Sequence, residues 1–159
     1  MILMALGAAF GSGPGSLPGQ AAPWGFGPGG MTGFGAANAG SAPGPGSPGF
    51  VAGTTSAPRV VRIIASDALR FYPDVVTVKQ GETISFEVTT MGMAVHEFMV
   101  GPAADVAADK EGTPEVADIA MMQTKSLTYT FNGAGPFAFA CHAPGHYEAG
   151  MRGVVVVLP

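Results

Sequence analysis

All eighteen charged side chains of this 159-residue chain fall between Arg59 and Arg152. The first 58 residues are instead rich in Gly and Pro, as in Gly11-Ser12-Gly13-Pro14-Gly15 and Ala42-Pro43-Gly44-Pro45-Gly46-Ser47-Pro48-Gly49. A segment without clustered apolar side chains cannot offset the entropy of ordering, so residues 1–58 read as a flexible linker or tail. Gly keeps no strict three-residue period there, which excludes a collagen-like rod. The folding burden therefore rests on residues 59–159, roughly the length of one β-sandwich.

Within that part the pattern is one of strands and turns. Val60–Ala65 and Val75–Val78 are apolar, β-branched runs, the second ended by the turn Lys79-Gln80-Gly81-Glu82. From Thr83 to Thr89 the residues alternate, with Ile84, Phe86 and Val88 on one face. Ser126 to Phe131 alternates likewise, with Leu127, Tyr129 and Phe131 inward, and Asn132-Gly133-Ala134-Gly135-Pro136 marks a turn. Phe137-Ala138-Phe139-Ala140-Cys141 then sets Cys141 on the side of two large aromatics. The run Val154–Leu158 reads as a strand buried on both faces. Between Gly101 and Lys125 the pattern lapses, and Thr113-Pro114-Glu115 resembles a helix start, with Val116, Ile119 and Ala120 on one helical face. No repeat is visible. The expected class is all-β: a small antiparallel sandwich carrying one short helix in a loop.

The chemistry concentrates in one stretch. Cys141, the only cysteine, is followed by His146 and Met151 at five-residue steps, across a bend supplied by Pro144 and Gly145. A lone buried cysteine is ordinarily an inert small hydrophobe. A thiolate, an imidazole and a thioether around one bend are more than that. With a second imidazole they form the trigonal His₂Cys set with a weak axial Met that holds mononuclear blue copper. His96 is the favoured second imidazole. His142 is the competitor, but it adjoins Cys141 in an extended strand and so points to the opposite face. Most other methionines read as flexible core filler, although Met91 and Met93 near His96 could form a second Cu(I) site.

The remaining totals exclude more than they suggest. A formal net charge of −4 leaves no basic footprint for nucleic acid. One cysteine forms no internal disulfide, so cysteine pairing does not report the redox compartment. Met1–Phe10 looks like the apolar part of an export signal, lacks a basic leading region, and is too short to span a bilayer.

At Cys141-x₄-His146-x₄-Met151, with Pro144-Gly145 directly before the second ligand His, the chain resembles the cupredoxins, nearest in spacing to rusticyanin and the sulfocyanins. The stretch Val95-His96-Glu97-Phe98 is similar to one found in many small bacterial members. The resemblance covers residues 59–159. It implies a Greek-key β-sandwich with one type 1 copper at one end, His96, Cys141 and His146 equatorial and Met151 axial. It further implies a weak approach of the Val95 carbonyl to the metal. The edge of His146 would be exposed, ringed by apolar residues such as Ala143, Pro144, Tyr147 and Ala149. Two positions depart from common patterns: Glu97 where many members have Asn or Ser, and His142 directly after the ligand Cys. A His in that place passes electrons to a second copper centre in multicopper oxidases, but such centres need further histidines, and this chain has only three in all.

The expected function is electron transfer between redox partner proteins. The protein is expected to be a monomer, not an enzyme, working in the periplasm or elsewhere outside the cytosol, with the N-terminal segment a possible tether near a membrane. The alternatives are a copper module for storage, delivery or resistance, and an enzyme with zinc on Cys141 and the two imidazoles.

Overall fold

A computed structural model describes residues 41–159. The Met1–Phe10 segment and most of the Gly/Pro-rich stretch lie outside the described residues. Nine strands and one short helix follow in order: β1 (Arg59–Ser66), β2 (Arg70–Tyr72), β3 (Val75–Lys79), β4 (Thr83–Met91), β5 (His96–Pro102), α1 (Ala103–Ala107), β6 (Glu115–Ile119), β7 (Thr124–Thr130), β8 (Phe137–Ala140) and β9 (Arg152–Leu158). They form two sheets, ordered β2-β1-β4-β7 and β3-β9-β8-β5-β6. The expected all-β sandwich is what the chain builds. It is mixed rather than purely antiparallel, because β1 runs parallel to β4 and β3 parallel to β9.

Period-two alternation accounts for the core. In β4, Ile84, Phe86 and Val88 are fully buried, while Ser85, Glu87 and Thr89 are partly exposed. Their partners from the second sheet are Phe98 and Phe139, whose ring centroids lie 5.3 Å apart. Phe86 tilts against Phe98 at 5.1 Å, and Phe71 meets Phe98 edge-on at 5.5 Å. Such offset and edge contacts suit aromatic quadrupoles and add to the area term. Cys141 and Met151 belong to this same buried cluster, so the sulfur atoms stand at the end of an aromatic core.

Three sequence expectations are corrected. The helix expected at Thr113 is instead the edge strand β6, which pairs with β5 through Phe98–Val116 and Met99–Glu115. Ladder hydrogen bonds to an otherwise open sheet edge outweigh the weak local helix signal. The helix present is α1, whose Val106 is buried against Met99 and Ala140. The second correction concerns β9, which is buried on one face only. Val154 and Val156 are 52% and 43% exposed, since among the described residues no layer covers the outer face of this sheet there.

Thirdly, residues 41–58 run along the domain. The Ala42 N–H donates to the Val60 carbonyl (2.9 Å), and the Arg62 N–H donates to Ser41 Oγ (2.8 Å). Gly53 is clamped between the Glu82 carboxylate, which accepts its N–H at 3.0 Å, and the Thr83 N–H, which donates to its carbonyl at 3.0 Å. Composition could not reveal these contacts, because most of them use the segment's own backbone groups.

Glu82 organises that clamp. Its buried carboxylate accepts from Arg59 Nε at 2.6 Å and from the Lys79 N–H at 2.8 Å. Burial alone would push this carboxyl up. Arg59 and the N–H groups of Lys79 and Gly53 outweigh it and hold it below its ordinary 4.5. Its contribution to stability is therefore complete above pH 4.5 and is lost as pH falls further. Removing one partner of a buried pair strands the other charge. Glu82→Ala should lower the unfolding free energy by about 3–5 kcal/mol in denaturant titration at pH 7. A loss of under about 1 kcal/mol, typical of a surface pair, would contradict this.

Candidate metal centre

His96 is the first residue of β5, Cys141 directly follows β8, and Met151 directly precedes β9. β5 and β9 both flank β8, so one sheet delivers all three residues to the same end. The intervening loop is closed on itself. The Cys141 N–H donates to the Met151 carbonyl (3.1 Å), and the Met151 N–H to the His146 carbonyl (2.9 Å). The His146 N–H donates to the Ala143 carbonyl (2.9 Å). Gly145 and Gly150 take φ values of 81° and 93°, which the turns need and other side chains resist. Arg70 ties the loop to the other sheet, its guanidinium donating to the Ala149 carbonyl at 2.7 Å.

Ligating atoms of His96, Cys141 and His146 lie within 4.8 Å of one another, close enough for one ion to bridge all three. Sγ of Cys141 stands 3.3 Å from Nδ1 of His146, and the two imidazole rings are 5.0 Å apart. The Glu97 N–H donates to the same sulfur at 3.3 Å. Met151 is fully buried beside them in the core. His142 is not part of the group: its Nε2 lies 2.8 Å from the Val106 carbonyl, and its ring stacks on Tyr147 at 4.7 Å. Strand parity separates it from Cys141, as the sequence suggested.

His96 carries the decisive detail. It is fully buried, and among the described residues neither ring nitrogen has a hydrogen-bond partner. A buried polar atom left unsatisfied costs about 1–3 kcal/mol, so the pocket is built for something that accepts a lone pair. A metal ion does. Two imidazoles and a thiolate suit a soft or borderline metal, and copper above all in this trigonal combination.

Comparison with known proteins agrees. Residues 59–158 match the family of copper binding proteins described as plastocyanin/azurin. The chain belongs to that family. Its relatives include the copper-resistant cuproprotein CopI of Rubrivivax gelatinosus, 38% identical over 111 aligned residues, covering 64% of this chain and 67% of that protein. CopI of Vibrio cholerae is 30% identical over 114 residues, covering 65% and 68%. Among solved structures, the fold is shared with reduced auracyanin from Roseiflexus castenholzii (TM-score 0.56, 22% identity, 63% of this chain and 97% of that one). It is shared also with an azurin from Methylomonas sp. strain J (TM-score 0.53, 15% identity, 63% and 98%). This member of the plastocyanin/azurin family is thus a copper-binding cupredoxin domain, and the zinc alternative has no support beside it.

Two elements of the site escaped the sequence reading. One is the Glu97 N–H, a backbone donor that residue identity does not reveal. The other is Asp67, whose carboxylate accepts from the N–H groups of Met93 (2.8 Å) and Ala94 (3.0 Å). These bonds hold Asp67 below the ordinary carboxylate range. They also fix the turn leading into His96, where a Cβ on Gly92 would collide with the same carboxylate. Nothing in the local sequence connects positions 67 and 93.

The protonation states set how copper affinity depends on pH. Burial pushes the Cys141 thiol above its ordinary 9.0, against the opposing N–H bonds from Glu97 and Ala143. Burial, aided by His146, pushes His96 below its ordinary 6.5. Between these limits His96 is already neutral, and metal uptake displaces the thiol proton. Copper affinity of the metal-free protein should therefore rise about tenfold per pH unit from pH 6.5 to 9.0, measured by competition with a chelator of known proton affinity. A flat profile would mean that the thiol is ionised beforehand or is not a ligand.

Proposed function

We propose that this chain is an electron carrier cycling one copper ion between Cu(I) and Cu(II), with His96, Cys141 and His146 as equatorial ligands and Met151 as the weak axial one. The observation that supports it most is the meeting of His96, from the start of β5, with Cys141 and His146 of the closed loop, their ligating atoms within 4.8 Å of one another. Copper, when bound, supplies the one-electron chemistry. What the chain supplies is constraint. The two copper oxidation states prefer different geometries, and a scaffold fixed by β5, the loop bonds and Arg70 limits rearrangement between them. Apolar surroundings and the Glu97 N–H at the sulfur adjust the potential.

Electrons would pass through His146, which is half-buried while His96 is sealed. Pro144 and Ala149, taken as the rim of that edge, are both exposed; Ala143 is buried, and Tyr147 turns aside to stack on His142. Four protein donors leave no position for a substrate, so the reading includes no catalysis. The partners are redox proteins that a weakly charged, apolar rim can meet briefly. The place of work is read as extracytoplasmic, in keeping with the apolar start of the chain and with copper-resistance relatives. Among the described residues no helix is long and apolar enough to cross a membrane.

A second reading, copper binding for resistance without an electron partner, is favoured by the relatives' designation as copper-resistant cuproproteins. Voltammetry of the copper-loaded full chain separates the two. The carrier reading expects fast, reversible one-electron cycling with copper retained through repeated reduction. Slow cycling with loss of Cu(I) to a chelator would favour resistance instead.

Two variants test the ligand roles. Cys141→Ser should abolish the intense visible colour of the oxidised protein, which arises from sulfur-to-copper charge transfer; a mutant that stays blue removes the assignment. Met151→Leu should keep the copper and raise the reduction potential, because a weak donor to Cu(II) is lost. A marked fall in potential would reject that role.

A further inference from the structure

Six methionines occur among the described residues, and their placement is uneven. Met99 and Met151 are buried, whereas Met91, Met93, Met121 and Met122 are 46%, 80%, 56% and 66% exposed. The four exposed ones belong to two segments that leave the β5–β6 ladder at the same end. His96 faces Ile119 across that ladder, so residues 91–95 run into it and residues 120–123 run out of it side by side. Backbone bonds hold the segments together: the Met122 N–H donates to the Thr90 carbonyl (2.9 Å), and the Thr90 N–H donates to the Gln123 carbonyl (3.1 Å). The Asp67 carboxylate pins Met93 from the other side. The four exposed methionines thus lie on two hydrogen-bonded segments at the end of the sandwich where His96 begins β5.

Ordinary packing does not explain them. Exposed apolar side chains are unremarkable singly, but a contiguous group marks a binding surface. Met122 in addition adopts φ 59°, a left-handed conformation that turns ordinarily give to Gly or Asn. Keeping a long unbranched side chain there costs about 1–2 kcal/mol, and backbone strain of this kind gathers at functional positions. The property that Met offers over Val or Leu is a soft sulfur, and soft thioethers select Cu(I).

The geometry points to a second copper site: Met91, Met93, Met121 and Met122 form a surface thioether cluster that binds one Cu(I) ion, separate from the buried centre. The inference rests on the chain being a copper protein, which its family settles, and on no ligand assignment at the buried centre. Cu(I) arrives at a flexible, solvent-facing set of sulfurs with no proton to displace, so uptake there is insensitive to pH, unlike uptake at Cys141.

The test uses the full chain with ¹³C-labelled methionine methyl groups, loaded anaerobically with one equivalent of Cu(I) and then titrated with a second. The methyl resonances of Met91, Met93, Met121 and Met122 should shift and saturate at one added equivalent. Replacing all four with Leu should abolish that second equivalent while leaving the first, and the colour after oxidation, unchanged. Should the fourfold variant fold poorly, Met93→Leu and Met121→Leu singly should each weaken the second equivalent by roughly tenfold. Unmoved resonances, or shifts confined to Met1, Met4 and Met31, would overturn the proposal. A defective buried centre would show itself at the first equivalent, so the two outcomes remain distinct.

Discussion

The structure depends on an imidazole sealed in the interior with both nitrogens unpaired. Against it stands a thiol at the end of an aromatic core, and beside that a second imidazole 3.3 Å from the sulfur. In the metal-free chain this arrangement is unfavourable, and a fold selected for stability alone would replace it with apolar side chains. One copper ion would satisfy all three groups at once. His96 and Cys141 stand enclosed at the end of the core, with His146 half-buried beside them.

That enclosure comes from the sheets. β8 carries Phe137 and Phe139 on its buried face and Cys141 follows it directly, so aromatic layers lead to the sulfur. β5 places His96 alongside and returns the Glu97 N–H to the same sulfur, and β9 takes up the chain after Met151. Long-range ties then hold the periphery: Arg70 to Ala149, Asp67 to the Met93 turn, and Glu82 to Arg59 and Gly53. Each is a charged group spending its hydrogen bonds on backbone or on a buried partner, which restrains loops without large apolar area.

Much of this was legible in the sequence. Parity along Phe137–Cys141 placed the thiol inward and His142 outward, and both are found so. Alternation in Thr83–Thr89 named the β4 core residues correctly. What misled was local pattern without its context. Thr113-Pro114-Glu115 has the chemistry of a helix cap but lies beside the open edge of β5, and the sheet captured it. The valines of β9 look doubly buried, yet only alternate ones meet a second layer. Pro and Gly before Arg59 suggested a loose linker up to the domain boundary, while backbone hydrogen bonds draw residues 41–58 onto the surface. Asp67 and Arg70 act on residues 26 and 79 positions away, and no local signal encodes such contacts.

The account is tested most directly by X-ray absorption at the copper edge of the copper-loaded, oxidised full chain. One short sulfur and two imidazole nitrogens in the inner coordination sphere, with any further sulfur distant, is the predicted result. A sphere of nitrogen and oxygen alone, without a short copper–sulfur bond, would contradict it.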